Sequence, residues 1–349
     1  MSKLEIKILH PGDADWGRYA DLINDYVEQT AAARIYHLPG CSELIQNEFR
    51  HRCFYFVALE DSRITGLLPV IQQKSRLFGN HMISMPFFNY GGVVASNPEA
   101  ELSLLQHAIA MMNKNGASDL ELRETTARTG FKSLDHKVAM ILELPAEARL
   151  LEMLGTKIRA QIKRPLQQNA VHICGKEELL DDFYNVFSRN MRDLGTPVYQ
   201  KSFFSAMIKR FRQGVWLHII KINNIPVGAA FVLGYKETAE IPWASTIREY
   251  NKYGVNMLMY WEVIKKAIKD GYKYFDFGRS SKDSGTYKFK KQWGALPVQL
   301  YWNYTLAPGA VLPMNNPANA KYALAIKIWQ KLPLAITEWL GPKLARNLP

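Results

Sequence analysis

Cysteine is scarce in this sequence, and long hydrophobic runs are missing. The three cysteines, Cys41, Cys53 and Cys174, are odd in number and widely spaced. That excludes a disulfide framework and fits a reducing compartment. The first residues, MSKLEIKILHPGDADW, have no apolar stretch of the secretory kind, and no window approaches the roughly 18 apolar residues of a membrane span. The expected location is cytoplasmic. The usual reactive signatures are missing too. Eight histidines form no H-E-x-x-H motif, and His37 with Cys41 is a lone pair at i, i+4, a spacing far commoner in cores and on surfaces than around a metal. No metal site is expected. Gly278-Arg279-Ser280-Ser281 lacks the second glycine of a G-x-S-x-G elbow, so a serine triad is demoted. With no G-x-G-x-x-G and no P-loop motif, a doubly wound nucleotide fold is disfavoured.

Positive charge, by contrast, is abundant. Lysine and arginine total 44 against 32 acidic residues, for a formal charge of +12 and a pI near 9.4. Such a balance suits an anionic partner: nucleic acid, a phosphorylated substrate or a membrane surface. The content of 48% apolar and 22% charged residues is that of an ordinary globular chain.

A plan recurs along the chain. Phe56 to Gly66 reads as strand, polar turn and second strand, and Ile219 to Gly228 ("IIKINNIPVG") repeats it with Asn223-Asn224 at the turn. A helix-period segment before Gly116 leads into the strand Leu120–Leu122, and a second before Gly271 leads into Phe275–Phe277. Two such units in the same order predict an α+β fold in which one domain of N-acetyltransferase type is built twice. "KVAMILEL" (Lys137 to Leu144) reads as the last strand of the first unit, placing a boundary near Pro145. The expected domains are 1–148, then 149–306 beginning with a basic connector helix, then an amphipathic helical tail over 307–349.

The candidate site residues cluster after the second repeated strand, in "FDFGRSSKDSGTYKFKKQWG" (Phe275 to Gly294). Arg279, Ser280, Asp283, Tyr287 and Lys290 follow a strand end, where ligand loops of α/β sheets usually lie. A guanidinium fork beside a lysine suits phosphate or carboxylate. A capping turn before a short amphipathic helix is the plainer account of the serines. Asp276 is the candidate general base. In the connector, Arg159 and Lys163 share a helix face ahead of Pro165. Tyr90, beside Gly91-Gly92, and Trp243, in "EIPWAS", are candidate substrate contacts, with core packing as the alternative. In "REYNKYGVN" the helix-start positions Gly254 and Asn256 are candidate cofactor residues, since helix N-termini bind phosphate.

The segment from Asn251 to Trp302, with "NYGG" at Asn89 to Gly92, "KIRAQIKR" at Lys157 to Arg164 and "MRDLGTPVY" at Met191 to Tyr199, resembles the FemAB-like aminoacyl/acyltransferases. It is most similar to the subgroup associated with the PEP-CTERM/exosortase system. The resemblance extends over most of residues 1–305. It implies two GNAT-type domains in tandem and transfer of an aminoacyl or acyl group to an amine of a cell-envelope or exopolysaccharide-related substrate. The donor so implied is aminoacyl-tRNA or acyl-CoA, neither held as a tight cofactor. Arg159, Lys163, Arg279 and Lys290 would then meet the phosphate-bearing substrate. The acyl-CoA loop of such domains, Q/R-x-x-G-x-G/A, stands here as Asn251-x-x-Gly254-x-Asn256, with its first and last positions altered. The competing expectation is a non-catalytic, degenerate GNAT pair that binds a polyanionic glycan, tRNA or a membrane surface. The C-terminal helices, broken at Pro333 and carrying Trp329 and Trp339 among lysines, are expected either to pack on the protein or to touch the inner membrane peripherally.

Overall fold

The two patterned hairpins form in the computed structural model, which describes residues 4–312 and 320–348. The chain begins with β1 (Leu4–Leu9), α1 (Trp16–Gln29) and α2 (Pro39–Phe49), followed by the hairpin β2 (Arg52–Glu60) and β3 (Arg63–Ser75). Asp61 and Ser62 at its turn have φ of 47° and 66°, the left-handed pair that a two-residue turn needs to match strand twist. Next come β4 (Gly79–Ile83), β5 (Val94–Ala95), α3 (Pro98–Lys114) and β6 (Asp119–Glu124). Asn97 caps α3, its side-chain oxygen accepting from the Ala100 amide at 2.8 Å. The chain continues through β7 (Lys132–Glu143), α4 (Glu147–Met153), α5 (Thr156–Lys163), β8 (Val171–Gly175), α6 (Leu180–Leu194) and α7 (Lys201–Arg210). The second hairpin, β9 (Val215–Ile222) and β10 (Ile225–Tyr235), turns at Asn223 and Asn224, with φ of 51° and 62°. After it stand β11 (Thr238–Thr246), α8 (Val255–Lys269), β12 (Tyr274–Ser281), α9 (Gly285–Lys291), β13 (Leu296–Leu306), α10 (Ala320–Lys331) and α11 (Leu334–Ala345).

The repetition holds at atomic detail. In β3 the register slips at Thr65, one residue before Gly66, and in β10 it slips at Val227, one residue before Gly228. Each extra residue makes a β-bulge whose carbonyl accepts from the segment ahead of the following helix, Ser96 N to Thr65 O at 2.8 Å and Ile247 N to Val227 O at 2.9 Å. The glycines admit those helices. A Cβ on Gly66 would stand 2.9 Å from Leu104 of α3, and one on Gly228 would stand 2.7 Å from Val255 of α8. Gly116 and Gly271, with φ of 62° and 85°, close the two helices.

Two compact units result. Among the described residues, unit 1 takes 4–137, 299–312 and 347–348, and unit 2 takes 138–298 and 320–346. In unit 1 the strands run β1-β2-β3-β4-β6-β13, with β5 beside β3; β4 and β6 are parallel, while the neighbours β13 and β6 are antiparallel. In unit 2, β8 to β11 form an antiparallel meander and β12 joins β11 in parallel. The strand read as the end of the first unit therefore contributes Val138–Glu143 to unit 2, and β13, late in the chain, supplies Gln299–Leu306 to unit 1. Pattern alone cannot show which neighbour a terminal strand pairs with, because β-pairing is set by non-local contacts. The core of unit 1 lies between α3 and its sheet, around Phe54, Phe56, Leu104 and Leu120. That of unit 2 surrounds α8, with Ile220, Val255, Phe275, Phe277 and Trp293 buried together.

The tail helices α10 and α11 pack on α6. Glu338 accepts from the Ser188 hydroxyl at 2.7 Å, and the Gln330 amide donates to the Asp193 carbonyl at 2.9 Å. The expected tail begins at 307, and its residues 313–319 lie outside the described residues. Gly341 sits so close to Val198 that a Cβ would meet the Val198 amide nitrogen at 2.9 Å. Gly341→Ala is therefore expected to cost about 1–3 kcal/mol of stability by overpacking, seen as a lowered melting temperature and faster proteolysis of the tail.

Candidate functional site

Parallel pairing of β11 with β12 covers only Thr238–Glu240 against Tyr274–Asp276. Both strands continue, β11 to Thr246 and β12 to Ser281, so the backbone of β12 beyond Asp276 has no ladder partner on that side. Local polar groups satisfy it instead, as buried main-chain groups require. Asp276 is fully buried and its carboxylate accepts from the Gly278 amide at 2.7 Å, fixing a turn in which Gly278 has φ 73°. The ammonium of Lys290, delivered from α9, donates to the carbonyls of Gly278 at 3.0 Å and Arg279 at 2.9 Å. Lys290 is only 7% exposed. Burial pulls its pKa down from 10.5 to about 8, against the opposing pull of the Asp276 and Glu240 carboxylates and with help from the Arg279 charge.

Ser280 completes this corner. It is 4% exposed, and its hydroxyl has no hydrogen-bond partner among the described residues. A buried polar atom left unmatched in a folded protein calls for an explanation, and here it lies one residue beyond the lysine's carbonyl partners. Arg279 and Asp283 are exposed and Tyr287 is half-buried. The cap of α9 is Ser284, whose hydroxyl accepts from the Tyr287 amide at 3.2 Å; Ser280 is free of that capping duty. Phe289 and Trp293 share a face as their spacing predicts, meeting Tyr260 with ring centroids 5.1 and 6.4 Å away.

The other candidates lie on other elements. Arg159 and Lys163 are exposed on α5. The same helix covers the start of α8: a Cβ on Gly254 would stand 3.0 Å from the Gln161 carbonyl oxygen. Asn256 is half-buried in the first turn of α8. A side chain at Gly254 would therefore meet a backbone oxygen at the start of α8. Trp243 is buried among Phe203, Phe204 and Phe231, with Phe204 at 5.1 Å in edge-to-face contact, an arrangement of aromatic core packing.

Tyr90 opens onto a separate place, a cavity of about 510 Å³ within unit 1. The Arg34 guanidinium lies 4.3 Å from its ring centroid. The wall opposite is the turn after β6, held by charged pairs that pattern reading passed over. Glu124, 8% exposed, accepts from the Val93 amide at 2.9 Å, from Asn303 at 2.9 Å and from both Nε and Nη2 of Arg128. Arg128 also reaches Glu101. Arg123 donates to Glu121 at 2.6 Å and to the Phe88 carbonyl at 2.9 Å, under the Trp302 ring. Gly92 is essential to this packing, because a Cβ there would fall 2.1 Å from the Glu124 side chain. "RETTAR" (Arg123 to Arg128) occupies in the first copy the place that "GRSS" holds in the second, which is the one signal that could have pointed here.

The fold defines a tandem GNAT-fold protein, followed by a helical tail. In particular, residues 155–291, all within unit 2, match the family model described as an acetyltransferase (GNAT) domain. Among solved structures, FemX is similar at 14% identity with a TM-score of 0.64, over 81% of this chain and 95% of that one. The C-terminal domain (DUF2156) of a protein assigned as a lysylphosphatidylglycerol synthetase from Agrobacterium fabrum is similar at 11% identity and TM-score 0.58, over 84% and 94%. A tandem GNAT protein from the clavulanic acid biosynthesis pathway follows at 12% and 0.53, over 86% and 97%. These likenesses are likenesses of fold. No curated protein matches by sequence.

The depressed lysine pKa has a measurable sign. Between about 8 and 10.5 the unfolded chain holds the Lys290 proton and the folded chain does not, so stability rises with pH across that window and its contribution is least below 8. Relative to Lys290→Met, wild type is expected to gain at most about 1.4 kcal/mol per pH unit there, read from urea denaturation at stepped pH. In unit 1, Gly92→Ala is expected to cost roughly 2–4 kcal/mol by breaking the buried Glu124 pairs, checked by the same denaturation.

Proposed function

We propose that this protein is an acyltransferase of FemAB type, transferring an aminoacyl or acyl group to an amine of a cell-envelope or exopolysaccharide-related substrate. The observation that carries the reading is the corner at the opened end of β11 and β12. A buried ammonium is held by the carbonyls of Gly278 and Arg279, the next residue carries a buried hydroxyl with no partner among the described residues, and neither group is a nucleophile activated by a base. Acyl transfer from an ester needs none. The acceptor nitrogen attacks the carbonyl carbon, the C–N bond forms, the C–O bond breaks, and the amine's proton leaves with the alcohol oxygen. The enzyme supplies orientation and a cation for the developing oxyanion. Lys290 has one ammonium hydrogen beyond the two its carbonyls take, and Ser280 can donate a second hydrogen bond. Asp276, committed to the Gly278 amide, acts here as a positioning residue.

For the donor, the Gln161 carbonyl over Gly254 speaks against a coenzyme A pyrophosphate at the start of α8 and in favour of an aminoacyl ester such as aminoacyl-tRNA. The exposed Arg159, Lys163 and Arg279 suit its phosphates or those of the acceptor. Tyr90, at the wall of the unit 1 cavity with Arg34, is a further candidate substrate contact within that unit. The PEP-CTERM-associated subgroup rests on the sequence motifs, and a cytoplasmic location on the three scattered cysteines and the lack of long apolar runs. The altered helix start also favours a second reading, a degenerate pair that binds a polyanion without catalysis.

Incubation with acyl-CoA and with aminoacyl-tRNA pools, each with cell-envelope extract, followed by mass spectrometry, separates these. Transfer from aminoacyl-tRNA is expected. Lys290→Met and Ser280→Ala are expected to lower the rate by about 100-fold and tenfold respectively without unfolding the protein. No transfer from either donor, with polyanion binding retained, would leave the binding reading standing.

A further inference from the structure

The helices α10 and α11 each carry apolar side chains on two sides. Their inner sides are used: Trp329, Thr337, Gly341 and Ala345 are buried as the pair packs on α6. Their outer sides carry Leu324 and Ile328, i and i+4 on α10, and Ile336 and Trp339, i and i+3 on α11, exposed by 61%, 55%, 43% and 66%. Four large apolar side chains exposed on two consecutive short helices are more than solubility alone favours.

The charge around this patch says what it fits. Lys327, Lys331, Lys343 and Arg346 are all exposed. The only acidic residue between 320 and 348 is Glu338, and its carboxylate is turned inward to Ser188. The Lys343 ammonium lies 3.6 Å from the centroid of the Trp339 ring, pairing a cation with an interfacial aromatic. Each helix has 12 residues, and no helix among the described residues is long and apolar enough to cross a membrane. We propose that α10 and α11 dock the protein on an anionic phospholipid bilayer, lying in the plane of the interface. Leu324, Ile328, Ile336 and Trp339 enter the headgroup–acyl boundary, and the flanking cations meet lipid phosphates. A second copy of the chain is disfavoured as the occupant, because the patch would bring its own like charges face to face.

The test uses the full chain and vesicles of phosphatidylglycerol and phosphatidylcholine in equal parts, with pure phosphatidylcholine vesicles beside them. Wild type is expected to co-sediment with the anionic vesicles, several-fold less with the neutral ones, and progressively less as sodium chloride is raised. Ile336→Ser with Trp339→Ser is expected to weaken binding by at least about tenfold. Lys327→Glu with Lys331→Glu should abolish the preference for the anionic lipid. Melting temperatures should match wild type for both variants, since the altered side chains are exposed. Equal sedimentation of wild type and both variants overturns the proposal, as does failure of wild type to bind anionic vesicles. So does a dimer in sedimentation velocity that the serine variant dissolves while vesicles stay unbound, which would make the face an interface between copies.

Discussion

Each unit depends on a helix pressed against a bulged hairpin at a glycine. Thr65 and Val227 bulge their strands, and Gly66 and Gly228 remove the side chain that would hold off Leu104 and Val255. The bulge carbonyl then anchors the segment leading into the helix. From this one contact follow the path of α3 and α8, the point where each chain returns as a parallel strand, and the short parallel pairings His81–Ile83 with Asp119–Glu121 and Thr238–Glu240 with Tyr274–Asp276. Where each pairing stops, backbone groups need other partners, and polar side chains gather there.

The two copies answer that need differently. In unit 1 a closed set of ion pairs holds the turn after β6, with Glu124 taking hydrogen bonds from three residues. Such a set is costly to interrupt, because removing one member strands a buried charge. In unit 2 the turn at Gly278, within β12, is held by Asp276 and Lys290, and the Ser280 hydroxyl has no partner among the described residues. The first arrangement is spent on architecture around a cavity. The second combines a buried ammonium with a hydroxyl that has no partner among the described residues, which is why the proposed chemistry is placed in unit 2.

Much of this was legible beforehand. The hairpin turns Asp61-Ser62 and Asn223-Asn224 and the helix-ending glycines Gly116 and Gly271 obey local rules, and local rules survive folding. Lys290 and Ser280 stand out in the sequence from their place after a strand, and remain candidates. Arg34, Arg123, Glu124 and Arg128 do not stand out, because their spacing carries no motif and their partners, Asn303 among them, lie far along the chain. Trp243 shows the opposite difficulty: an aromatic beside small residues reads alike whether it faces a ligand or, as it does, three phenylalanines.

By itself, then, the sequence determined the repeat, its strand–turn–strand and helix–glycine–strand order, and the excess of positive charge, since each is a matter of composition or near-neighbour geometry. Only the tertiary structure decided that the strand after each repeat divides as it does between the units, that Gln161 covers Gly254, and that Lys290 is buried with a depressed pKa. Those features arise from contacts between residues distant in the chain, and desolvation exists only once such contacts have closed.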